Sequence, residues 1–207
     1  MKLNKEIQPN DLASAIKNFI FYLNLFKERI NDLNVFPVPD GDTGTNMHLT
    51  LKDLDKIIET PTRLPDFLKD IAHTTLMGAR GNSGVILSQF FKALLNSYEK
   101  NDSLNLNSFS ETFLIAAQIT RESLPNPVEG TMLTIYEDIG KTIQEKKGKI
   151  DNFSELLKIV ADASIKSVKE TPNKLKILKD AGVVDSGALG LAIMLNSWYF
   201  SIDKDIS

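Results

Sequence analysis

The sequence predicts an all-α protein, an antiparallel bundle of about eight helices. Apolar residues recur along it at spacings of three and four, which is the period of a helix that buries one face. No segment shows the alternating pattern of a half-buried strand. Because each helix hides only one apolar stripe, the helices must share a core, and a bundle with short loops is the simplest packing.

The first predicted helix follows Pro9, with Asn10 as its expected N-cap. Its apolar stripe consists of Leu12, Ile16, Phe19, Leu23, Phe26 and Ile30. The same pattern predicts further helices at about residues 45–59, 66–79, 84–99, 108–123, 131–147, 153–170 and 186–200.

Composition excludes several classes of function. The chain has 207 residues, 42% of them hydrophobic, which is ordinary for a globular protein and predicts one domain over residues 1–207. Its net charge of -3 gives no strong field for nucleic acid or anionic lipid. It has no cysteine, so disulfides and thiolate metal sites are excluded, and any metal must bind through oxygen or imidazole.

The N-terminal segment gives no sign of a secretory signal. Residues 1–10 are polar and lack the apolar core of such a peptide. No apolar run approaches the roughly 18 residues that a membrane span requires. We therefore expect a cytoplasmic protein.

Glycines concentrate at the predicted junctions between helices. Glycine inside a helix costs up to about 1 kcal/mol relative to alanine, so a helical chain should carry few unless its loops require them. All but two of the 11 glycines fall in four groups, which are Gly41 and Gly44; Gly78, Gly81 and Gly84; Gly130; and Gly182, Gly187 and Gly190. These connections are more elaborate than simple turns require.

Residues 34–47 read NVFPVPDGDTGTNM and contain a paired-acid turn. The two prolines stiffen the approach and Gly41 lets the chain turn, so that Asp40 and Asp42 can converge. Two carboxylates about 4 Å apart repel each other by about 4 kcal/mol at an effective dielectric of about 20, so their approach requires a cation or a proton. Oxygen ligands suit Mg²⁺ or Ca²⁺. A turn that only caps the next helix is the alternative interpretation.

An EF-hand loop fits this segment poorly. Asp40, Asp42 and Gly44 occupy its first, third and fifth positions, but the sixth is Thr45 rather than glycine and the twelfth is Leu51 rather than glutamate. The segment instead favours a magnesium site with coordination positions left open for phosphate oxygens.

Residues 78–84, GARGNSG, precede another apolar stripe. Backbone amides freed by glycine at the start of a helix form an anion-binding nest, to which Asn82 and Ser83 can add side-chain hydrogen bonds. The segment lacks the Gly-Lys-Ser/Thr ending of a Walker loop, and no strand precedes it as in a dinucleotide-binding fold. An ordinary helix cap is the alternative. Arg80 is a candidate partner for phosphate or for an aspartate.

Two later segments give weaker signals. Thr131 can cap the helix that follows it, and Met132 can flank a base or lie in the core. Asp185 precedes the last helix and is expected to be its N-cap. His48 and His73 each fall inside a predicted helix and receive no catalytic role.

Four ordered motifs together resemble one family. They are NVFPVPDGDTGTNM at 34–47, GARGNSGVILSQ at 78–89, PVEGTM at 127–132 and DAGVVDSG at 180–187. They resemble the DhaL-like kinase domain of bacterial fatty acid kinase, which is related to the nucleotide-binding L subunit of dihydroxyacetone kinase. The resemblance implies an all-helical, barrel-like bundle that holds ATP and two Mg²⁺ ions at one end.

The resemblance also implies roles for individual residues. Asp40, Asp42 and Asn34 would be the metal ligands, with Asn34 at the place nearest to a third aspartate of dihydroxyacetone kinases. Asp40, Asp42 and Arg80 are the expected catalytic residues. The residues expected to hold the nucleotide are Thr43, Gly44, Thr45, Asn46, Gly81, Asn82, Ser83, Gly84, Thr131, Met132, Gly182, Asp185 and Gly187.

The implied reaction transfers the γ-phosphoryl group of ATP to a fatty acid carboxylate that a separate fatty-acid-binding protein presents. A carboxylate is ionised at neutral pH, so no general base is required and catalysis reduces to positioning and charge neutralisation. A small-ketone kinase of the dihydroxyacetone type is one alternative, and a non-catalytic nucleotide or metal sensor is another. Members of the family continue past this domain, so we expect the chain to be an N-terminal fragment of a longer protein or an unusually short homologue.

Overall fold

The structure is a computed structural model that describes residues 6–146 and 148–202. Within those ranges the chain is helical apart from short connections, and its only extended pairing is an isolated bridge between Glu6 and Asn105. The all-α prediction is confirmed. No helix of this part is both long and apolar enough to cross a membrane. Half of the predicted polar segment 1–10 and both ends of the predicted domain lie outside the described residues.

The helices follow the predicted order. They are α1 (Pro9–Asp32), α2 (Thr43–Leu51), α3 (Asp55–Glu59), α4 (Leu64–Gly78), α5 (Gly81–Asn101), α6 (Leu106–Ser123), α7 (Met132–Glu145), α8 (Phe153–Lys174), α9 (Lys176–Ala181) and α10 (Ser186–Ile202). A 3₁₀ turn at Lys52–Leu54 divides the predicted helix 45–59 into α2 and α3. The short helix α9 was not predicted, because six residues are too few to show an apolar period. Lys147, the last residue of the predicted helix 131–147, lies outside the described residues.

Helix contacts close a ring. α1 packs on α10, α10 on α8, α8 on α7, α7 on α6, α6 on α5, α5 on α2, and α2 again on α1. Asn18 in the first half of α1 donates a hydrogen bond of 2.6 Å to Ser201 near the end of α10, whereas Ile30 near the end of α1 lies beside Gly190 near the start of α10. These two helices are therefore antiparallel.

The centre of the core joins three helices of the ring through aromatic side chains. Phe90 of α5 lies with its ring centroid 5.9 Å from that of Tyr136 in α7 and 5.6 Å from that of Trp198 in α10. All three side chains are fully buried. Such pairs add about 0.5–1.5 kcal/mol each beyond the burial of their area. The core thus fixes α5, α7 and α10 relative to one another.

Two details of α1 differ from the prediction. The helix begins at Pro9, so that Gln8 rather than Asn10 is the N-cap, and the backbone amide of Gln8 donates to the Asp11 carboxylate at 3.1 Å. Proline suits the first helical position because its missing N–H would have no partner there. Phe26 is 43% exposed although the rest of its stripe is buried, since it lies at the edge of that stripe.

Several glycines that were predicted to serve loops instead allow helices to approach closely. Gly44 lies inside α2, where an added Cβ would overlap the carbonyl oxygen of Lys27 in α1. Gly84 lies inside α5, where a Cβ would overlap the hydroxyl of Thr50 in α2. Gly190 lies inside α10, where an added Cβ would overlap a side chain of α2. The short helix α2 is therefore enclosed closely by three neighbours.

We expect Gly44→Ala to lower the free energy of unfolding by about 1–3 kcal/mol, because the new methyl group would force α2 away from α1. Urea denaturation followed by circular dichroism measures the change. Lys92→Ala on the exposed face of α5 is the control, and it should change stability by less than about 0.5 kcal/mol. Equal stability of the two variants would contradict the close packing of α2.

Candidate functional site

The N-termini of four helices line a cavity of about 510 Å³. It lies where α1 has ended and α10 begins. Its lining includes Thr43 of α2, Ser83 of α5, Met132 of α7 and Ser186 of α10, each within the first turn of its helix. The first amides of a helix have no intrahelical partner, and the helix dipole adds partial positive charge at that end. The arrangement therefore favours an anion in the cavity.

The turn before α2 brings the two predicted acids to this cavity. Asp40 and Asp42 both line it, and Gly41 between them has φ +66°, a conformation that favours glycine. In the described part of the chain, no third acid, histidine or cysteine joins them to make a cluster of three. The acid turn, residues 40–42, thus offers two carboxylates and leaves the rest of a cation's coordination shell to other ligands.

Asn34 connects the acid turn to α2 and α10. Its Nδ2 donates to the carbonyl oxygen of Val38 at 2.7 Å and to Oδ1 of Asp40 at 3.0 Å, while its Oδ1 accepts from the hydroxyls of Thr43 and Ser186. A carbonyl can only accept, so the amide nitrogen must face the turn. The amide oxygen of Asn34, the atom through which it was predicted to bind metal, thus contacts Thr43 and Ser186 rather than Asp40.

The predicted glycine loop is the first turn of α5. Gly81 begins the helix with φ +57°, and Gly81, Asn82 and Ser83 line the cavity. The residue at the N-cap, Arg80, makes no capping hydrogen bond with its side chain. Ser83 Oγ donates to the carbonyl oxygen of Thr43 at 3.4 Å, so α5 and α2 begin side by side. This helix start has no side-chain cap and can offer its amides to an anion.

Asp185 joins the starts of α7 and α10. Its carboxylate accepts from the backbone amide of Ala188 at 2.7 Å and from that of Met132, and its own amide donates to the hydroxyl of Thr171 in α8 at 3.0 Å. The N-cap position predicted for Asp185 is confirmed. Burial raises the pKa of Asp185 to about 7, although the two amide hydrogen bonds act in the opposite direction.

Thr131 and Met132 take different parts at the start of α7. Thr131 occupies the N-cap position, but its hydroxyl donates to the carbonyl oxygen of Val128 at 2.7 Å instead of capping the helix. Met132 is 3% exposed and belongs to the hydrophobic core as well as to the cavity wall. Gly187 lies directly against Met132, where a Cβ would make contact at 2.5 Å.

The structure brings many but not all of the predicted nucleotide residues to the cavity. Those that line it are Thr43, Asn46, Gly81, Asn82, Ser83, Thr131, Met132, Asp185 and Gly187. The amides of Gly44 and Thr45 instead donate to Oδ1 of Asn31, at 2.9 and 3.1 Å. Gly84 packs against α2, and Gly182 ends α9 with φ +67°. None of these four lines the cavity, and their predicted contact with a nucleotide stays a prediction.

Arg80, which was predicted to be catalytic, lies outside the cavity lining. Its side chain is exposed, and no ion pair of the described residues involves it. Its backbone amide donates to Thr50 Oγ1 at 3.2 Å, which directs the chain into α5. His48 and His73 also lie outside the cavity lining.

Apolar residues on the outer wall were not singled out from the sequence. One group, here called the apolar lip, consists of Phe36, Pro37 and Val38 beside the acid turn, with Val38 59% exposed. The lining also includes Leu124, Pro125, Asn126 and Val128 from the segment before α7. The prolines of both segments were visible in the sequence, but only as signals for turns.

Most of the chain matches a known family. A family model described as the DAK2 domain matches residues 37–200. This match includes the acid turn and all four helix starts at the cavity.

Curated relatives with similar sequences are longer proteins. An uncharacterized protein of Staphylococcus saprophyticus is 41% identical over 167 residues, and one of Staphylococcus aureus is 39% identical over 164 residues. These matches cover 80% and 78% of this chain. The chain spans 30% of the length of each of these relatives.

Two solved structures share the fold. The dihydroxyacetone kinase from C. freundii in complex with AMP-PNP and Mg²⁺ matches with a TM-score of 0.67 at 20% identity, over 95% of this chain and 35% of that one. Its native form matches with a TM-score of 0.70 at 19% identity, over 95% and 36%. At this level of identity the likeness concerns the fold.

The burial of Asp185 predicts a specific dependence of stability on pH. Its pKa of about 7 in the folded chain lies above its ordinary value of 3.8, so between these values the folded state retains a proton that the unfolded state has released. The stabilisation from protonated Asp185 is therefore complete below about pH 4 and is lost as the pH rises towards 7.

Asp185→Asn tests this dependence, because the amide stays neutral at every pH. Relative to the variant, the free energy of unfolding of the wild type should fall by up to about 1.4 kcal/mol per pH unit between those limits and should level off above them. Denaturant titrations across this pH range measure the difference. A difference that does not change with pH would contradict the assignment.

Proposed function

The chain belongs to the DAK2 domain family, and we propose that it is an ATP- and Mg²⁺-dependent kinase domain. The observation that carries the proposal is that the acid turn and the uncapped start of α5 line the same cavity. A triphosphate with bound Mg²⁺ offers a cation to carboxylates and oxyanions to backbone amides. The dihydroxyacetone kinase from C. freundii, which shares the fold, was solved with AMP-PNP and Mg²⁺. One hydrophobic core through the described residues supports treating the chain as a single domain.

Asp40 and Asp42 form a donor set that fits magnesium. In kinase sites Mg²⁺ keeps several waters and is bound through one or two carboxylates together with phosphate oxygens. Two acids at the cavity are therefore sufficient on the protein side. A second ion, as the resemblance implies, would share these carboxylates and the phosphates. When bound, the metal neutralises charge on the phosphoryl oxygens.

We assign the phosphates to the starts of α5 and α2. Gly81, Asn82 and Ser83 supply first-turn amides and two polar side chains, and Thr43 lies next to them. The nucleoside end is then assigned to the wall formed by the starts of α7 and α10. In the reaction the bond between the γ-phosphorus and the oxygen that bridges to the β-phosphate breaks, and a bond from the γ-phosphorus to an acceptor oxygen forms, which leaves ADP.

The finer proposal is that the acceptor is a fatty acid carboxylate presented by a separate fatty-acid-binding protein. The apolar lip borders the acid turn and matches an acceptor whose reactive oxygen is followed by an apolar tail. An ionised carboxylate requires no general base, in keeping with the position of His48 and His73 away from the cavity. The product would be an acyl phosphate.

A small ketone of the dihydroxyacetone type is the second candidate acceptor. The shared fold with dihydroxyacetone kinase favours it. A small hydroxylated ketone would find fewer polar partners at the apolar lip, so we rank it below the fatty acid. A non-catalytic nucleotide or metal sensor is the third candidate function. Transfer of the γ-phosphoryl group to any acceptor would distinguish both kinases from it.

We expect Asp40→Ala and Asp42→Ala to abolish the gain in ATP affinity that Mg²⁺ provides, because each removes one of the two anionic ligands at the cavity. Calorimetry with Mg²⁺ and with EDTA measures this gain, and circular dichroism checks the helices. Asp53→Ala, which removes an exposed acid from the 3₁₀ turn, is the control and should keep the gain. Unchanged Mg²⁺-dependent affinity in both acid-turn variants would remove the metal assignment.

Acceptor identity is tested with γ-labelled ATP and hydroxylamine, which traps acyl phosphates as hydroxamates. We expect label transfer to a long-chain fatty acid only when a bacterial fatty-acid-binding protein carries it. Val38→Ser should lower this transfer by about 10-fold at unchanged ATP affinity, because it removes apolar surface from the lip. Val38→Leu keeps that surface and serves as the control. Transfer to dihydroxyacetone alone would favour the ketone, and ATP binding without any transfer would favour the sensor.

A further inference from the structure

We infer that Asn34 is a positioning residue that holds Asp40 in place through its amide nitrogen and does not itself bind the metal. The inference rests on the proposed magnesium role of the acid turn. It goes further by giving a function to a buried side chain that the resemblance placed among the ligands. Its basis is the direction of the Asn34 amide, whose nitrogen contacts Asp40 and whose oxygen contacts the starts of α2 and α10.

Both N–H groups of the Asn34 side chain are used on the acid-turn side. An amide has two N–H donors and two oxygen lone pairs. The donors bond the carbonyl oxygen of Val38 and Oδ1 of Asp40, and the amide oxygen accepts the hydroxyl of Thr43. Ser186 Oγ lies 3.1 Å from Thr43 Oγ1 and 3.5 Å from Asn34 Oδ1, so its single hydrogen serves mainly the nearer oxygen. The amide oxygen thus contacts the starts of α2 and α10, whereas the amide nitrogen contacts Asp40.

The contact with Asn34 gives an exposed carboxylate a defined orientation. Asp40 is exposed, so without a partner its side chain would sample several rotamers. The hydrogen bond from Asn34, which is only 7% exposed, fixes Oδ1 of Asp40 against a rigid part of the protein. A carboxylate that is already ordered loses less conformational freedom when it binds an ion. Mutation of residues that orient a ligand in this way typically costs about 10–100-fold in metal affinity.

A neutral amide is the side chain that this position requires. An aspartate at residue 34 would place a second carboxylate at the 3.0 Å distance from Asp40 and would face the carbonyl oxygen of Val38 with another acceptor. Both contacts would become repulsive. The two explanations for Asn34 therefore predict opposite effects of Asn34→Asp. A third anionic ligand would strengthen magnesium binding, whereas a disrupted positioning contact would weaken it.

The test measures the Mg²⁺ concentration that gives half of the maximal gain in AMP-PNP affinity, by calorimetry on the whole chain. We expect Asn34→Asp and Asn34→Ala each to raise this concentration by about 10-fold or more. The affinity of Asn34→Ala for AMP-PNP in EDTA should stay at the wild-type value, which a general loss of structure would not allow. Asn126→Asp adds the same charge to the exposed wall of the cavity and controls for simple repulsion.

Two results would overturn the inference. One is an equal or lower Mg²⁺ requirement in Asn34→Asp. The other, which needs no variant, is a crystal structure of the wild-type chain with Mn²⁺ and AMP-PNP in which Oδ1 of Asn34 lies at a ligand distance of about 2.1 Å from the ion. Oδ1 still bonded to Thr43 and Ser186 would support it. A wild-type chain whose AMP-PNP affinity does not respond to Mg²⁺ would instead refute the proposed function.

Discussion

The site depends on one electrostatic constraint, the meeting of four helix N-termini around a single cavity. Their dipoles place partial positive charge around the same cavity, and their free amides require hydrogen-bond acceptors. The chain provides some of them itself. Asp185 accepts amides from the starts of α7 and α10, and Asn31 accepts two from α2. The start of α5 has no side-chain cap, so it is the part of the cavity most available to an external anion.

The core determines where these helix starts lie. The aromatic contacts of Phe90 with Tyr136 and Trp198 tie together three of the helices that begin at the cavity. Gly44 and Gly84 let the fourth, the short helix α2, lie close to its neighbours. The Asn34 amide and the hydroxyls of Thr43 and Ser186 connect the acid turn to the starts of α2 and α10. Positive helix ends, two carboxylates and an apolar lip thus meet in one place, and the proposed function rests on this arrangement.

Local patterns in the sequence predicted the helices and part of the site, because apolar period and turn chemistry are local properties. The family resemblance implied one site for Asp40, Asp42 and Ser83, and the structure places all three in the lining of one cavity. Local patterns could not distinguish a loop glycine from one that permits close packing, as at Gly84, because the crowding atom belongs to another helix. They could not give the direction of the Asn34 amide, since one of its partners, Ser186, is 152 residues away. Arg80 belongs to the predicted nest segment in sequence, yet its side chain is exposed and does not line the cavity.

The most direct test of the account is a titration of the ¹⁵N-labelled chain with AMP-PNP and Mg²⁺, observed through backbone amide resonances. The account predicts the largest shifts at Gly81, Asn82 and Ser83, with further shifts at the starts of α2, α7 and α10. Changes confined to residues outside the cavity, or no changes at saturating nucleotide, would contradict it.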